Sequence, residues 1–82
     1  MLFVLTEHAQ KRCARRGIKL EWIRSALDNA VEMMDDWQDP DLTHALWPVP
    51  EREFRVLRVI YNETLEPVAV VTVFFDNKVK IT

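Results

Sequence analysis

The chain opens on five apolar residues, Met1 to Leu5, and meets its first charge at Glu7. That run predicts a short edge strand. Thr6 then stands where a helix N-cap would, with Glu7 in the first turn, where a negative charge suits the helix dipole. Projected at about 100° per residue, Glu7 to Arg16 gathers His8, Lys11, Arg12, Arg15 and Arg16 into an arc of about 140°. Ala9, Gln10, Cys13 and Ala14 take the other side. The helix therefore has a thin packing face of small residues and a broad cationic one. Gly17 follows where helices end in the left-handed conformation, and Ile18 can fold back onto the last turn. A second helix is predicted from Leu20 to Ala30. Leu20, Ile23, Ala26, Leu27, Ala30 and Val31 share its apolar side, and Trp22 sits at the margin, packed against a neighbour.

After Asn29 the period changes from 3.6 to 2. Val31 to Trp37 reads as a strand closed by the turn-prone Asp39-Pro40-Asp41. Thr43 to Trp47 reads as a second, ended by Pro48 and Pro50, which cannot donate to a ladder. Phe54 to Tyr61 makes a third, with Phe54, Val56, Arg58 and Ile60 on one face and Arg55, Leu57, Val59 and Tyr61 on the other. Pro67 to Phe75 is apolar on both faces and belongs inside the sheet. Asp76-Asn77 can turn the chain into a last strand through Val79 and Ile81. Helices first and strands afterwards predict an α+β fold, with two N-terminal helices packed on a largely antiparallel sheet of four to five strands.

Composition narrows the class. Eighty-two residues with a single glycine and four prolines suit one domain, residues 1–82, and exclude low-complexity or repetitive chains. The longest uncharged apolar stretch, Val68 to Phe75, is interrupted by Thr72 and falls far short of the ~20 residues of a membrane helix. No membrane partner and no signal peptide are expected. The single Cys13 cannot form an internal disulfide, which suits a reducing, cytoplasmic setting. It lies on the small-residue side of its helix and reads as buried and inert. So short a chain has little core of its own, which makes a homodimer or another bound partner an expectation.

Net charge is −2, which by itself speaks weakly against a nucleic-acid binder. Its distribution says more. From His8 to Arg24, Lys11, Arg12, Arg15, Arg16, Lys19 and Arg24 face the lone Glu21. From Asp28 to Glu53 eight acids face only Arg52. Within the basic block His8, Arg12 and Arg16 recur at i, i+4 and i+8, so they stack along one helix face and can converge on one ligand. Two guanidiniums offer planar forks for phosphate oxygens, and an imidazole beside them is the side-chain type that passes protons. Metal-free ribonuclease chemistry needs those roles. Arg55, Arg58, Tyr61 and Thr72 join this candidate site if the helix packs near their strands. His44, set among large apolar neighbours in a strand, reads as a packing residue. Cys13, His8 and His44 lack zinc-ligand spacing, the Asp35–Asp41 run lacks the glycine of a calcium loop, and one glycine rules out a phosphate loop. No metal or cofactor is expected.

The stretch Thr6-Glu7-His8-Ala9-Gln10-Lys11-Arg12-Cys13-Ala14-Arg15-Arg16-Gly17-Ile18, with Asn29-Ala30-Val31-Glu32 and the late Val70-Val71-Thr72-Val73, resembles domain-of-unknown-function family number 4258. That family in turn resembles the RelE/ParE-like toxins and their ribonuclease-like fold. The resemblance implies two helices on an antiparallel sheet and, by analogy, RNA cleavage held in check by an antitoxin partner. It points to His8, Arg12, Arg16 and Thr72 as catalytic. The cationic helix face and the third strand add Lys11, Arg15, Arg55, Arg58 and Tyr61 as candidates for holding RNA. The competing expectation is a non-catalytic interaction module whose basic helix docks an acidic partner.

Overall fold

A computed structural model of the chain describes residues 1–80. In order they form β1 (Phe3–Leu5), α1 (Glu7–Arg16), α2 (Leu20–Asn29), β2 (Glu32–Asp35), β3 (Leu42–Val49), a 3₁₀ turn (Pro50–Arg52), β4 (Arg55–Asn62) and β5 (Val68–Phe75). The five strands make one sheet in the order β1-β5-β4-β3-β2. Pairing is antiparallel except between β1 and β5, which are parallel, so the sheet is mixed and the fold α+β. Both helices lie on one face. No helix among the described residues is long and apolar enough to cross a membrane.

Local chemistry sets the helix ends. The Thr6 hydroxyl accepts the Ala9 N–H at 3.2 Å, which caps α1. Gly17, at φ 65°, ends it in the left-handed region, with the Gly17 and Ile18 N–H groups both directed to the Cys13 carbonyl. Lys19 precedes α2 and has no oxygen to offer as a cap; its ammonium instead lies 5.7 Å from the Trp22 ring centroid. Ala9 and Cys13 are buried, so α1 approaches the sheet through small residues alone. Trp22, Ile23, Ala26 and Leu27 of α2 pack over Ala45, Val49, Leu57, Val59, Val70 and Val73, which fill the core. Each large aliphatic residue fully enclosed there stabilises the fold by about 1.5–3 kcal/mol. Leu20 and Val31, at the two ends of the predicted apolar stripe, are largely exposed.

Strand boundaries shift by a residue or two from the sequence pattern, and three departures have a visible cause. The first antiparallel strand stops at Asp35, because the Asp36 carboxylate takes the N–H groups of Gln38 and Asp39 and turns the chain. Trp37 is left 86% exposed. The next strand does not end at Pro48 but runs through it to Val49. The Val49 carbonyl accepts from Phe54 on the β4 side, so at Pro48 the backbone faces the other way, where β2 has already ended opposite Leu46. The missing N–H costs no ladder bond. Past β5, the Asp76 carboxylate accepts the Lys78 N–H and forms a turn, so no strand includes Val79. Ile81 lies outside the described residues.

Candidate functional site

The site grows from the edge of β5. β1 pairs with that edge only from Val68 to Val70, and α1 takes over beyond it. Thr6 donates its N–H to the Val70 carbonyl at 3.0 Å and its hydroxyl to the Val71 carbonyl at 3.2 Å. Val71 is the extra residue of a bulge, since Ile60 faces Thr72 while Tyr61 faces Val70. Bulges re-aim the side chains that follow them. Here the next residue, Thr72, meets His8 across the edge, with Oγ1 3.1 Å from Nε2. One and two turns further along α1, Arg12 and Arg16 reach the end of the same strand.

There they line an open cavity of about 540 Å³ together with Arg52, Arg55, Phe74, Phe75 and Asn77. Four guanidiniums from three separate elements share this wall. Aromatic faces and neutral oxygens hold two of them. The Arg52 guanidinium lies 5.4 Å from the Trp22 ring centroid and 5.7 Å from that of Phe75, and donates to the Gly17 carbonyl at 3.4 Å. Arg55 lies 4.6 Å from the Phe75 centroid and donates to Asn77 Oδ1 at 3.3 Å. The aromatic pair is itself fixed: Trp22 meets Phe75 edge-on at 6.2 Å and donates its indole N–H to Glu51 at 3.0 Å. That bond, with Glu51's own backbone N–H and the Lys19 charge, holds the Glu51 carboxyl below its ordinary range. Among the described residues none of the four cavity arginines has a carboxylate within ion-pair distance. Ring faces orient a cation without cancelling its charge, so the cavity is preset for an anion.

The structure divides the predicted site residues. Arg12, Arg16 and Arg55 line the cavity. His8 does not; it is exposed, one turn back along α1, beside Thr72. Lys11 and Arg15 lie outside the wall, and Lys11 pairs with Glu7 at 3.1 Å. Tyr61 sits in the core at 2% exposure, where burial and then the Glu63 charge push its phenol up, so it offers nothing at the surface. Arg58 points to the helix-free face of the sheet, because it alternates with the core-facing Leu57 and Val59. Its Nε donates to Asp76 at 2.9 Å and its Nη1 to His44 Nδ1 at 2.8 Å. A guanidinium only donates, so Nδ1 accepts and His44 Nε2–H donates to Asp36 at 2.7 Å. His44 is thus a hydrogen-bonded link in an Asp36–His44–Arg58–Asp76 chain and more than a packing residue. The His44 bond, then the N–H groups of Asp39 and Gln38, hold Asp36 below the ordinary carboxylate range.

Arg52, Phe74, Phe75 and Asn77 are the members of the wall that the sequence pattern did not single out. Arg52 carried one signal, as the lone base of the acidic stretch. Cys13 is buried, and burial pushes its thiol up. No group of three His, Cys, Asp or Glu among the described residues is placed to hold a metal ion.

A family model described as "Domain of unknown function (DUF4258)" matches residues 5–75 of the chain. Comparisons with curated proteins and with solved structures find no match.

Proposed function

The chain belongs to the DUF4258 family, and from its site we propose that it binds the phosphodiester backbone of RNA in the arginine cavity and cleaves it without a metal. One observation carries this reading: four arginines on one cavity wall with no paired carboxylate among the described residues. Paired forks of this kind suit phosphate oxygens and the charge that builds on phosphorus in the transition state. His8 supplies the base. It sits four residues from Arg12, about 6 Å of helical rise. With the ring proton on Nδ1, its Nε2 accepts from the Thr72 hydroxyl, and a ribose 2′-hydroxyl would take that place. Nε2 removes the 2′-hydroxyl proton as the 2′-oxygen bonds to phosphorus. The bond from phosphorus to the 5′-oxygen breaks, and the leaving oxygen takes a proton from solvent. The products are a 2′,3′-cyclic phosphate and a 5′-hydroxyl.

The resemblance of the DUF4258 family, to which residues Thr6 to Ile18 point, to the RelE/ParE-like toxins is in line with the same reading and adds a cytoplasmic antitoxin protein as the proposed neutralising partner. The test is cleavage of single-stranded RNA by purified protein, alone and with ribosomes. Wild type should cut, and His8→Ala should lose at least ~100-fold in rate, the usual contribution of a general base, while binding the same RNA and unfolding at the same temperature. Intact RNA under both conditions, or full activity in His8→Ala, would remove the catalytic claim.

A further inference from the structure

A second cavity, of about 300 Å³, opens beside the first and shares Arg55 and Asn77 with it. Its wall continues through Phe54, Val56 and Val79 to Lys80, with two carboxylates, Glu53 and the Arg58-bonded Asp76, also on it. The two cavities adjoin at the Arg55–Asn77 hydrogen bond, and a strand laid from one to the other would follow them as one groove. Phe54 is the unusual member. The residue is 65% exposed, and its backbone lies at φ 63°, directly after Glu53 at φ 57°. A bulky residue keeps the left-handed conformation only where the surrounding structure holds it there. The hold is visible. Phe54 N–H donates to the Val49 carbonyl at 2.8 Å, and Glu53 N–H to the Pro50 carbonyl at 3.2 Å. These two residues reverse the chain between the 3₁₀ turn and β4. They bring Arg52 and Arg55 to one wall and leave the Phe54 ring standing in solvent at the rim.

We propose that Phe54 is a stacking platform for a nucleobase, so that the groove takes unpaired RNA, with a phosphate among the arginines and the adjoining base on the ring. The inference rests on the phosphate reading above and adds the class of substrate. An exposed ring beside a guanidinium cavity offers the two contacts that recur in single-strand recognition, a cationic track for the backbone and a π-face for the base. A duplex keeps its bases stacked on each other and cannot present one to the ring. Lys80, also on the wall of the second cavity, is the cation there that a following phosphate would meet.

The experiment compares two probes of equal charge, a single-stranded RNA hexamer and an abasic ribose-phosphate hexamer, with an RNA duplex as the third arm. Wild type should bind the base-bearing strand about 10-fold more tightly than the abasic one, in line with the usual worth of one stacked base. It should bind the duplex no better than the abasic strand. Phe54→Ala should erase the preference and leave abasic affinity unchanged, whereas Phe54→Trp should keep it. Phe54→Gly, which suits the backbone, should behave as the alanine variant and guards against misfolding. Equal affinity of wild type for both single strands, or a preference that survives Phe54→Gly, overturns the stacking claim alone. Failure of wild type to bind either strand overturns the phosphate reading with it.

Discussion

Gly17 links scaffold and site through one backbone position. Its left-handed φ of 65° ends α1, and its carbonyl accepts from Arg52. A Cβ there would lie 3.2 Å from Arg52 Nη2. Gly17→Ala therefore costs about 1–2 kcal/mol in backbone conformation and also pushes on a cavity arginine. For a domain of this size that is a fall of roughly 4–8 °C in Tm per kcal/mol, and RNA affinity should drop in parallel. Thermal unfolding and a binding isotherm on the same variant check both. Unchanged values would separate Gly17 from the site. At this scale half of the site was legible. His8, Arg12 and Arg16 announce themselves by helical spacing, because neighbours on a helix face are set by sequence distance alone. Arg52 reaches the cavity through a 3₁₀ turn and two aromatic faces, and no local spacing encodes such an approach.

The turn after β5 shows how an element on one face serves the other. Asp76 holds it by accepting Lys78 N–H and Arg58 Nε, while its own N–H bonds to the Val56 carbonyl. Burial works to raise the Asp76 carboxyl, but the Lys78 N–H and the Arg58 bond and charge outweigh it, and the group ends below the ordinary carboxylate range. Asp36 and Glu51 are lowered as well. Carboxylates depressed in this way stabilise the fold above about pH 4 and lose that contribution as pH falls through their lowered values. Urea unfolding between pH 7 and pH 2 should thus show a loss below about pH 4. Asp76→Asn should be less stable at pH 7 by about 1–3 kcal/mol, the cost of leaving a charged partner unsatisfied, and should lose less on acidification. A variant with the wild-type acid profile would deny Asp76 this role. The helices and the caps of α1 were legible because such ends are decided within four residues. The two-sided apolar reading of β5 has its physical source in the Val71 bulge, which turns both Val70 and Val73 to the core. Register of that kind depends on the partner strand and is invisible in the strand's own residues.

Over the whole molecule the net charge of −2 conceals the site. The acids gather in the segment from Asp28 to Glu53, while three of the four cavity arginines come from α1 and β4 outside it and Arg52 alone comes from within it. With extents of 32 × 25 × 21 Å the molecule is several times longer than the Debye length of about 8 Å at physiological salt. A local cluster of four arginines can therefore act as a cation on a chain that is acidic in sum. The α+β class was readable from the order of helical and alternating segments. The parallel seating of β1 on β5 was not, since it joins the two ends of the sequence. Salt dependence of RNA binding reaches the central claim most directly. If phosphates lie among the arginines, the affinity of wild type for a single-stranded RNA hexamer should fall with a log–log slope of about −2 to −3, at ~0.7 per phosphate neutralised. Arg12→Ala/Arg16→Ala should flatten that slope by about 1.4. Binding indifferent to salt, or a slope unchanged in the double variant, would contradict the account.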